Sequence, residues 1–332
     1  MAHPTRRPTD AAHSFENSYD PPASLLNQPW IDPHTHAQTL SWRDREQYAL
    51  AGCHAMVLVA SGYHWTPYKP VAAEDIQYLW DDVINRQRAI EREHFFDTGL
   101  AVGIHTGVRI DDSDELLDRL REYCRLDSVV AIGETGITPT QHAEQWPLEG
   151  QRDVVREQFA IAAENDCPVI LHTPAASSTT AELYRAGVGI PGFERNDELT
   201  QEPVLDGDNP AIQALEEDIA LAREVGFDER QLIASHADAN NAELLLEATD
   251  CLLSFTLGYP WLTGVTVETV AKFVHEYGPE RIMIETDAAN VLNTDVLAIK
   301  RAIVECYRLG LSVEEIERIV YENPQTALNV GE

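Results

Sequence analysis

Short apolar runs alternate with amphipathic stretches along nearly the whole chain. The stretches between the runs, such as residues 73–94 and 151–165, place apolar residues at helical spacing. Runs that are apolar almost throughout are typical of parallel strands covered by helices on both faces. The runs lie at residues 29–32, 54–60, 97–105, 128–134, 167–172, 231–236, 250–256 and 281–287.

Eight such strand and helix units in about 300 residues predict an α/β protein with the (β/α)8 TIM-barrel fold, a single domain over residues 28–332. An open, doubly wound sheet is the competing architecture. That fold usually carries a glycine-rich phosphate-binding turn after its first strand. Here the position holds Pro33, His34, Thr35 and His36, which favours the barrel.

Two segments do not follow the pattern. Residues 1–27 are polar, contain four prolines and lack an apolar period, so we expect a flexible N-terminal extension. Residues 174–211 are rich in turn-forming residues and predict an insertion after the fifth strand. Active sites of TIM barrels lie at the C-terminal ends of the strands, so this insertion is either a lid over the site or a solvated surface loop. The sequence leaves both interpretations open.

The charge balance is strongly acidic, with 56 acidic and 24 basic residues and a formal net charge of −32. The acids are spread along the predicted helices, and only three lysines occur. Hydrated carboxylates keep a protein soluble at molar salt, where the screening length falls to about 3 Å. We therefore expect a halophilic archaeon as the source. The charge does not support a nucleic-acid substrate, but screening at high salt leaves one possible.

The five cysteines form no CxxC pair and lie within or beside apolar segments, as expected for reduced cysteines in a cytoplasmic protein. No apolar stretch approaches the ~18 residues of a membrane span, and the N-terminus has no hydrophobic signal core. We expect no membrane partner, and the oligomeric state stays open.

Several predicted strands end in a residue that can bind a metal ion. In a barrel these ends meet at one rim, so the side chains would converge. A lone histidine at a strand end is more often structural, but the repetition of such residues in one structural position indicates a metal site. The residues are His34, His36, Glu134, His172, His236 and Asp287.

Spacing suggests individual roles. Side chains at i and i+2 of a strand point to the same side, so His34 and His36 can reach one ion. Asp32 is in the same phase and is predicted to accept a hydrogen bond from a ligand imidazole. The two oxygens of Glu134 make it the candidate to bridge two ions. Glu285 either binds below Asp287 or pairs with an arginine, and we favour the structural pair.

Motifs in a fixed order connect these residues to a known family. They are DPHTH (32–36), GIH (103–105), GETG (133–136), CPVILHTP (167–174), SHAD (235–238), IETDA (284–288) and ENPQTAL (322–328). The ordered set resembles the TatD family of metal-dependent hydrolases, within the amidohydrolase-type barrels. The resemblance implies that the six residues form the metal shell with Glu134 bridging, and that His105 contacts substrate.

One departure from the family pattern concerns the substrate. The deoxyribonuclease members typically follow the fifth-strand histidine with a serine and an arginine, whereas here His172 is followed by Thr-Pro-Ala-Ala. The chain resembles a less characterised archaeal and cyanobacterial TatD-like branch more than the DNases. His64 lies in an aromatic segment and is a further candidate for substrate binding.

The predicted activity is hydrolysis by water activated between two divalent ions, zinc, manganese or magnesium. The bond is a phosphodiester or another ester or amide in a small-molecule or nucleotide-type substrate. Asp287 would be the catalytic proton shuttle. Two alternatives stay open, a mononuclear metal-dependent decarboxylase or lyase of the same barrel class and a non-catalytic accessory protein.

Overall fold

The computed structural model describes residues 20–60, 70–94, 96–139, 146–174, 205, 209–289 and 294–331. It contains one sheet of eight parallel strands, which follow chain order around the sheet. The strands are β1 (Trp30–Thr35), β2 (Cys53–Val59), β3 (Asp97–Val102), β4 (Val129–Thr135), β5 (Val169–His172), β6 (Leu232–Ser235), β7 (Leu252–Thr256) and β8 (Ile282–Glu285).

Helices follow the strands and cover the outside of the sheet. They are α1 (Ala23–Leu26), α2 (Trp42–Leu50), α3 (Ala73–Glu93), α4 (Ser113–Tyr123), α5 (Leu148–Asn165), α6 (Pro210–Glu224), α7 (Ala242–Ala248), α8 (Pro260–Thr263), α9 (Val267–Tyr277), α10 (Ala298–Arg308), α11 (Val313–Glu317) and α12 (Asn323–Leu328). A π-helical turn, Arg318–Glu322, joins α11 to α12, and 3₁₀ turns occur at Ala37–Thr39 and Glu229–Gln231.

The sheet closes where β8 returns to β1. The amide of Asp287 donates to the carbonyl of His34 at 3.0 Å, and the amide of His36 donates to the carbonyl of Ala288 at 2.9 Å. These bonds join the C-terminal ends of the first and last strands. The prediction of a (β/α)8 TIM barrel is confirmed, and each predicted apolar run overlaps one of the eight strands.

The strands are apolar on both faces because each face is buried against a different layer. On β2, Ala55, Val57 and Val59 point into the barrel, whereas Met56 and Leu58 face the helices. The barrel interior is filled by a cluster of Ile31, Ala55, Val57, Val59, Ala101, Ala131, Ile170, Ile233, Met283, Leu328 and Val330. Leu328 and Val330 come from the C-terminal segment, so the end of the chain completes the barrel core.

Local signals position the helices around this core. Ser41 begins α2 with a capping box, accepting from the amide of Asp44 at 3.2 Å. Ser312 and Glu315 form the same arrangement at α11. An N-cap of this kind satisfies amides that the first helical turn leaves without partners.

The predicted extension and insertion lie largely outside the described residues. Residues 1–19, 175–204 and 206–208 are in this part of the chain, so the flexible extension and the lid stay predictions. Within the predicted extension, Leu25 of α1 is buried. None of the described helices is long and apolar enough to span a lipid bilayer.

Candidate metal centre

The C-terminal ends of five strands bring all six predicted ligands to one site. His34 lies on β1, Glu134 on β4 and His172 at the end of β5. The other three, His36, His236 and Asp287, follow β1, β6 and β8 within two residues. Five of the six are buried, and only the His172 side chain is partly exposed, at 32%. The site is therefore enclosed by the barrel and open on the His172 side.

Glu134 lies at the centre and divides its two oxygens between different imidazoles. Its Oε1 is 2.7 Å from His172 Nδ1 and 2.9 Å from His236 Nε2. Its Oε2 is 3.7 Å from His34 Nε2 and 3.8 Å from His36 Nε2. One carboxylate thus faces two separate histidine pairs, which is the arrangement that a bridging ligand requires.

Asp287 completes the His34–His36 side of the site. Its Oδ1 lies 3.2 Å from His36 Nε2 and 3.6 Å from His34 Nε2. Its Oδ2 accepts a hydrogen bond from the buried hydroxyl of Tyr259. The two oxygens therefore face different neighbours, one the imidazoles and the other the phenol.

Two of these ligands occupy an unusual backbone conformation. His236 has φ of 62° and Asp287 has φ of 48°, in the left-handed region that residues with a Cβ seldom adopt. The amide of His236 is held by Glu285 Oε1 at 3.1 Å, and that of Asp287 by the His34 carbonyl. Strained backbone of this kind occurs at functional sites where the surrounding structure maintains it.

The Nδ1 atoms of three imidazoles face away from the site, and their hydrogen bonds define the tautomers. His36 Nδ1 lies 2.9 Å from the Val59 carbonyl, which can only accept, so Nδ1 carries the hydrogen. His34 Nδ1 lies 3.0 Å from Ser235 Oγ, and His236 Nδ1 lies 2.9 Å from Thr256 Oγ1.

Both hydroxyls donate their only hydrogen to Glu285. Ser235 Oγ is 3.0 Å from Glu285 Oε2, and Thr256 Oγ1 is 2.7 Å from Glu285 Oε1. Each hydroxyl oxygen must therefore accept from the imidazole Nδ1–H. In the neutral imidazoles the Nε2 lone pairs then point into the site, as metal ligation needs.

The donor set fits divalent metal ions. Among the described residues, the buried His34 Nε2 has no hydrogen-bond partner. It lies 3.6–3.7 Å from carboxylate oxygens of Asp287 and Glu134. An ion bound tetrahedrally at about 2.1 Å separates neighbouring ligand atoms by roughly 3.4 Å. In the described part of the chain, three sets of residues each place their ligand atoms within 4.8 Å of one another: His34–His36–Glu134, Glu134–His172–His236 and His34–His236–Glu285.

The imidazoles keep the central carboxylates ionised. Burial by itself raises the pKa of Glu134, but the neighbouring His34 and His172 outweigh it and hold this pKa well below its usual range. Burial likewise opposes ionisation of Asp287, yet the His36 contact and the charge of His236 lower its pKa to about 2. Buried carboxylates that stay ionised favour a cation beside them, either a protonated imidazole or a metal ion.

Asp32 lies beside the site but does not have the predicted contact. Its side chain accepts from Tyr48 Oη at 3.1 Å, Thr286 Oγ1 at 2.5 Å and the amides of Thr286 and His34. The Nδ1 atoms of His34 and His36 instead bind Ser235 and Val59. Asp32 therefore holds β1 against the segment after β8. Burial raises its pKa to about 7.

His105 lies at the edge of the site. Its ring packs edge-on against His172, with centroids 4.8 Å apart, and its Nδ1 accepts from the amide of Gly107 at 3.0 Å. His64, the other predicted substrate contact, lies outside the described residues.

The sequence did not indicate three residues that shape the site, Ser235, Tyr259 and Thr256, and it suggested a different partner for a fourth, Glu285. Glu285 was expected to pair with an arginine, but its oxygens accept from Ser235, Thr256 and the His236 amide instead. The available signal was position, since Thr256 ends a predicted strand and Ser235 precedes a predicted ligand. Hydroxyl residues at strand ends carry little specificity on their own.

Comparison with known proteins agrees with this geometry. The sequence profile of the family described as "TatD related DNase" matches residues 31–329. The chain belongs to the TatD-related family. A relative in Methanocaldococcus jannaschii, named as an uncharacterised metal-dependent hydrolase, is 24% identical over 300 residues, covering 88% of this chain and 97% of the relative.

Two solved structures support the barrel fold. The TatD-like protein of Archaeoglobus fulgidus has a TM-score of 0.61 at 20% identity, over 91% of this chain and 100% of that one. A beta-aspartyl dipeptidase from Fervidobacterium islandicum has a TM-score of 0.59 at 15% identity, over 92% of this chain and 74% of that one. At these identities the likeness concerns the fold. The TatD-related chain thus has relatives named metal-dependent hydrolases and a His/Glu cluster able to bind metal.

Proposed function

We propose that this protein is a binuclear metal-dependent hydrolase. The observation that carries the proposal is the division of Glu134, whose Oε1 faces His172 and His236 while Oε2 faces His34 and His36. Asp287 adds an oxygen to the second group. The chain therefore offers His34, His36, Glu134 and Asp287 to one divalent ion, and Glu134, His172 and His236 to another.

The ions would supply a water of lowered pKa and a polarised scissile bond. Asp287, an ionised buried carboxylate, would be the residue that takes a proton from the attacking water and passes it to the leaving group. Tyr259 holds Oδ2 of Asp287, which leaves Oδ1 directed at the imidazole side. Glu285, through Ser235 and Thr256, keeps the Nε2 lone pairs of His34 and His236 directed inward.

The substrate we propose is a small-molecule or nucleotide-type ester, amide or phosphodiester. His105 would contact it, because its ring lies against the partly exposed His172. The four residues directly after His172, Thr-Pro-Ala-Ala, provide no arginine for a phosphate backbone, which favours small substrates over DNA. His64 stays a second predicted contact.

Metal analysis of protein purified at high salt tests the binuclear site. We expect two divalent ions per chain, and a loss of metal in Glu134→Gln, because the amide cannot bridge as a charged ligand. The exposed Glu243→Gln is the matched control. A single tightly bound ion whose affinity Glu134→Gln leaves unchanged would contradict the binuclear site and favour a mononuclear lyase.

A substrate panel tests the reaction. Phosphodiesters, phosphomonoesters, esters and amides are assayed at high salt with metal-loaded protein and with Asp287→Asn. We expect one class to be hydrolysed by the parent protein and not by the variant. Inactivity of the metal-loaded parent across the panel would instead support an accessory role.

We also propose that the protein works in the cytoplasm of a halophilic archaeon. The net charge of −32 with only three lysines supports this. Mutual repulsion of exposed carboxylates is strong at low ionic strength and screened at about 1 M salt. Circular dichroism during stepwise removal of potassium chloride tests it. Full stability in dilute buffer would contradict the proposal.

A further inference from the structure

The segments that follow β3 and end β4 lie against each other at the C-terminal end of the barrel. Gly103 directly follows β3, and a Cβ at this position would lie 2.8 Å from the carbonyl carbon of Gly133 and 2.9 Å from the carbonyl oxygen of Glu134. Glycine permits so close an approach of two backbones. The first segment carries His105, the proposed substrate contact, and the second carries Glu134, the proposed bridging ligand.

His105 and Glu134 contact the same imidazole. His172 Nδ1 lies 2.7 Å from Glu134 Oε1, and the His172 ring packs edge-on against the His105 ring with centroids 4.8 Å apart. The position of one segment relative to the other therefore decides how His105 and Glu134 face each other across His172.

One buried side chain binds both segments. Gln158, on α5, accepts from the amide of Ile104 at 2.7 Å and donates to the carbonyl of the same residue at 3.0 Å. Its Nε2 also donates to Thr135 Oγ1 at 2.6 Å, so both Nε2 hydrogens are used. Ile104 directly precedes His105, and Thr135 directly follows Glu134. Gln158 thus connects the neighbour of the substrate contact with the neighbour of the bridging ligand.

Thr106 holds the same two segments on the other side of His105. Its hydroxyl donates to the Gly136 carbonyl at 2.6 Å and accepts from the amide of Thr138 at 3.2 Å. Thr106 and Gln158 are both fully buried, so water does not compete for these hydrogen bonds. The residues before and after His105 are therefore both tied to the segment that begins at β4.

A second glutamine on α5 provides a comparison. Gln151 lies two helical turns before Gln158 on the same face of the helix and is equally buried. Its Oε1 accepts from the Thr138 amide at 2.8 Å, and its Nε2 donates to the Trp146 carbonyl at 2.9 Å. Both partners lie in the connection from β4 to α5, and neither is adjacent in sequence to a proposed ligand or substrate contact.

We propose that Gln158 is a positioning residue that fixes the substrate contact His105 relative to the bridging ligand Glu134. It acts through the backbone of Ile104 and the hydroxyl of Thr135. A displacement of about 1 Å at the reacting groups can cost about 10²-fold in rate, which is why such a link matters. The inference rests on the proposed hydrolase function, because that function gives Glu134 and His105 their roles.

Zinc binding to the full-length protein tests the link to Glu134. Chelator competition at high salt compares the parent with Gln158→Met, which removes all three bonds, and with the matched control Gln151→Met. We expect zinc affinity to fall about tenfold in Gln158→Met and to keep the parent value in Gln151→Met. Both variants lose a bound backbone amide and carbonyl, so general destabilisation should affect them alike. Parent affinity in Gln158→Met, or an equal fall in both variants, would overturn the proposal.

The same titration separates this inference from the proposed function. A parent protein that binds two ions, with unchanged affinity in Gln158→Met, contradicts the role of Gln158 and leaves the hydrolase function intact. A parent protein that binds no zinc contradicts the hydrolase function and this inference together.

Thr135 offers a milder pair of variants if Gln158→Met folds poorly. Thr135→Val removes the hydroxyl that accepts from Gln158, whereas Thr135→Ser retains it. We expect zinc affinity to fall in Thr135→Val and to stay at the parent value in Thr135→Ser. Equal affinities in these two variants would show that the Gln158 bond does not position Glu134.

The imidazole of His105 provides a readout that needs neither metal nor substrate. Its Nδ1 accepts from the Gly107 amide at 3.0 Å, so the neutral ring carries its hydrogen on Nε2. NMR spectra of metal-free protein with isotope-labelled histidine report this tautomer, and the signals missing from His105→Gln assign the ring. We expect the His105 signals to shift in Gln158→Met, which frees the Ile104 backbone, and to stay in place in Gln151→Met. Unshifted His105 signals in Gln158→Met would overturn the proposal whether or not the protein is a hydrolase.

Discussion

The two ends of the barrel differ in how their buried polar groups are satisfied. At the C-terminal end, His34 Nε2 has no hydrogen-bond partner within the described residues, and His236 and Asp287 have left-handed backbones. At the N-terminal end, Asn323 donates to the carbonyls of Pro279 and Ile282 at 2.7 and 2.8 Å. One end keeps unsatisfied ligand atoms available, and the other uses its polar groups to hold the chain together.

Because the two ends are separate, one barrel can keep unsatisfied ligand atoms at its C-terminal end and a stabilising hydrogen-bond network at its N-terminal end. The sheet between the two ends is filled by apolar side chains, including Leu328 and Val330 from the C-terminal segment. Rigid packing here holds the strand ends in place, so strain and buried charge at the C-terminal end are tolerated. Substitutions at the C-terminal end should therefore change turnover and metal affinity, whereas substitutions at the N-terminal end should change the free energy of unfolding.

The largest expected effect is on turnover at the C-terminal end. Asp287→Asn removes the proposed proton shuttle, so kcat should fall by about 10²–10⁴-fold on whichever substrate the panel identifies. Steady-state kinetics measures this fall, and metal content is determined in parallel because Asp287 is also a proposed ligand. The exposed Asp250→Asn is the control. Unchanged kcat would remove Asp287 from the mechanism.

Glu285→Gln should weaken metal binding, although Glu285 is not one of the six proposed ligands of the two ions. The amide presents one acceptor oxygen instead of two, so Ser235 or Thr256 is released and an imidazole tautomer is no longer held. Loss of an outer partner of this kind costs about 10–100-fold in metal affinity. Competition with a chelator measures it. Equal affinities in Glu285→Gln and Glu243→Gln would show that the tautomers do not depend on Glu285.

Asn323→Ala tests the N-terminal end. It leaves the Pro279 and Ile282 carbonyls without their side-chain donor, which should lower the free energy of unfolding by about 1–3 kcal/mol. Denaturant titration at high salt measures the loss, and chelator competition should give the parent metal affinity. If metal affinity falls together with stability, the two ends of the barrel are coupled and do not serve separate purposes.

Tyr259→Phe should have the smallest effect. It removes the hydrogen bond to Asp287 Oδ2 and keeps the ring, so kcat should fall roughly tenfold, as expected for one hydrogen bond to a charged acceptor. Metal content and the KM value should stay near those of the parent, since the phenol is bound to the carboxylate. A change confined to the melting temperature would assign Tyr259 to stability alone.

Much of the fold followed from local patterns. Alternation of apolar runs with helical periods predicted the barrel because each strand of a parallel barrel is buried on both faces, as Met56 and Val57 of β2 are. The six candidate ligands were predicted from their position at strand ends, and they converge because parallel strands end at one rim. The TatD resemblance is confirmed by the family profile.

Other features could not be predicted, because they depend on contacts between distant parts of the chain. Asp32 was in phase with His34, yet the positions of Tyr48 and Thr286 decided its partners. The role of Glu285 depends on hydroxyls from β6 and β7.

The sequence by itself determined the barrel, its family and the six residues at its rim, because periodicity and strand-end position are local properties. Only the tertiary structure decided which oxygen of Glu134 faces which imidazole, and that Tyr259 contacts Asp287. The physical reason is that hydrogen bonds are made over about 3 Å, a distance that strand curvature and helix packing set and that spacing along the chain does not encode.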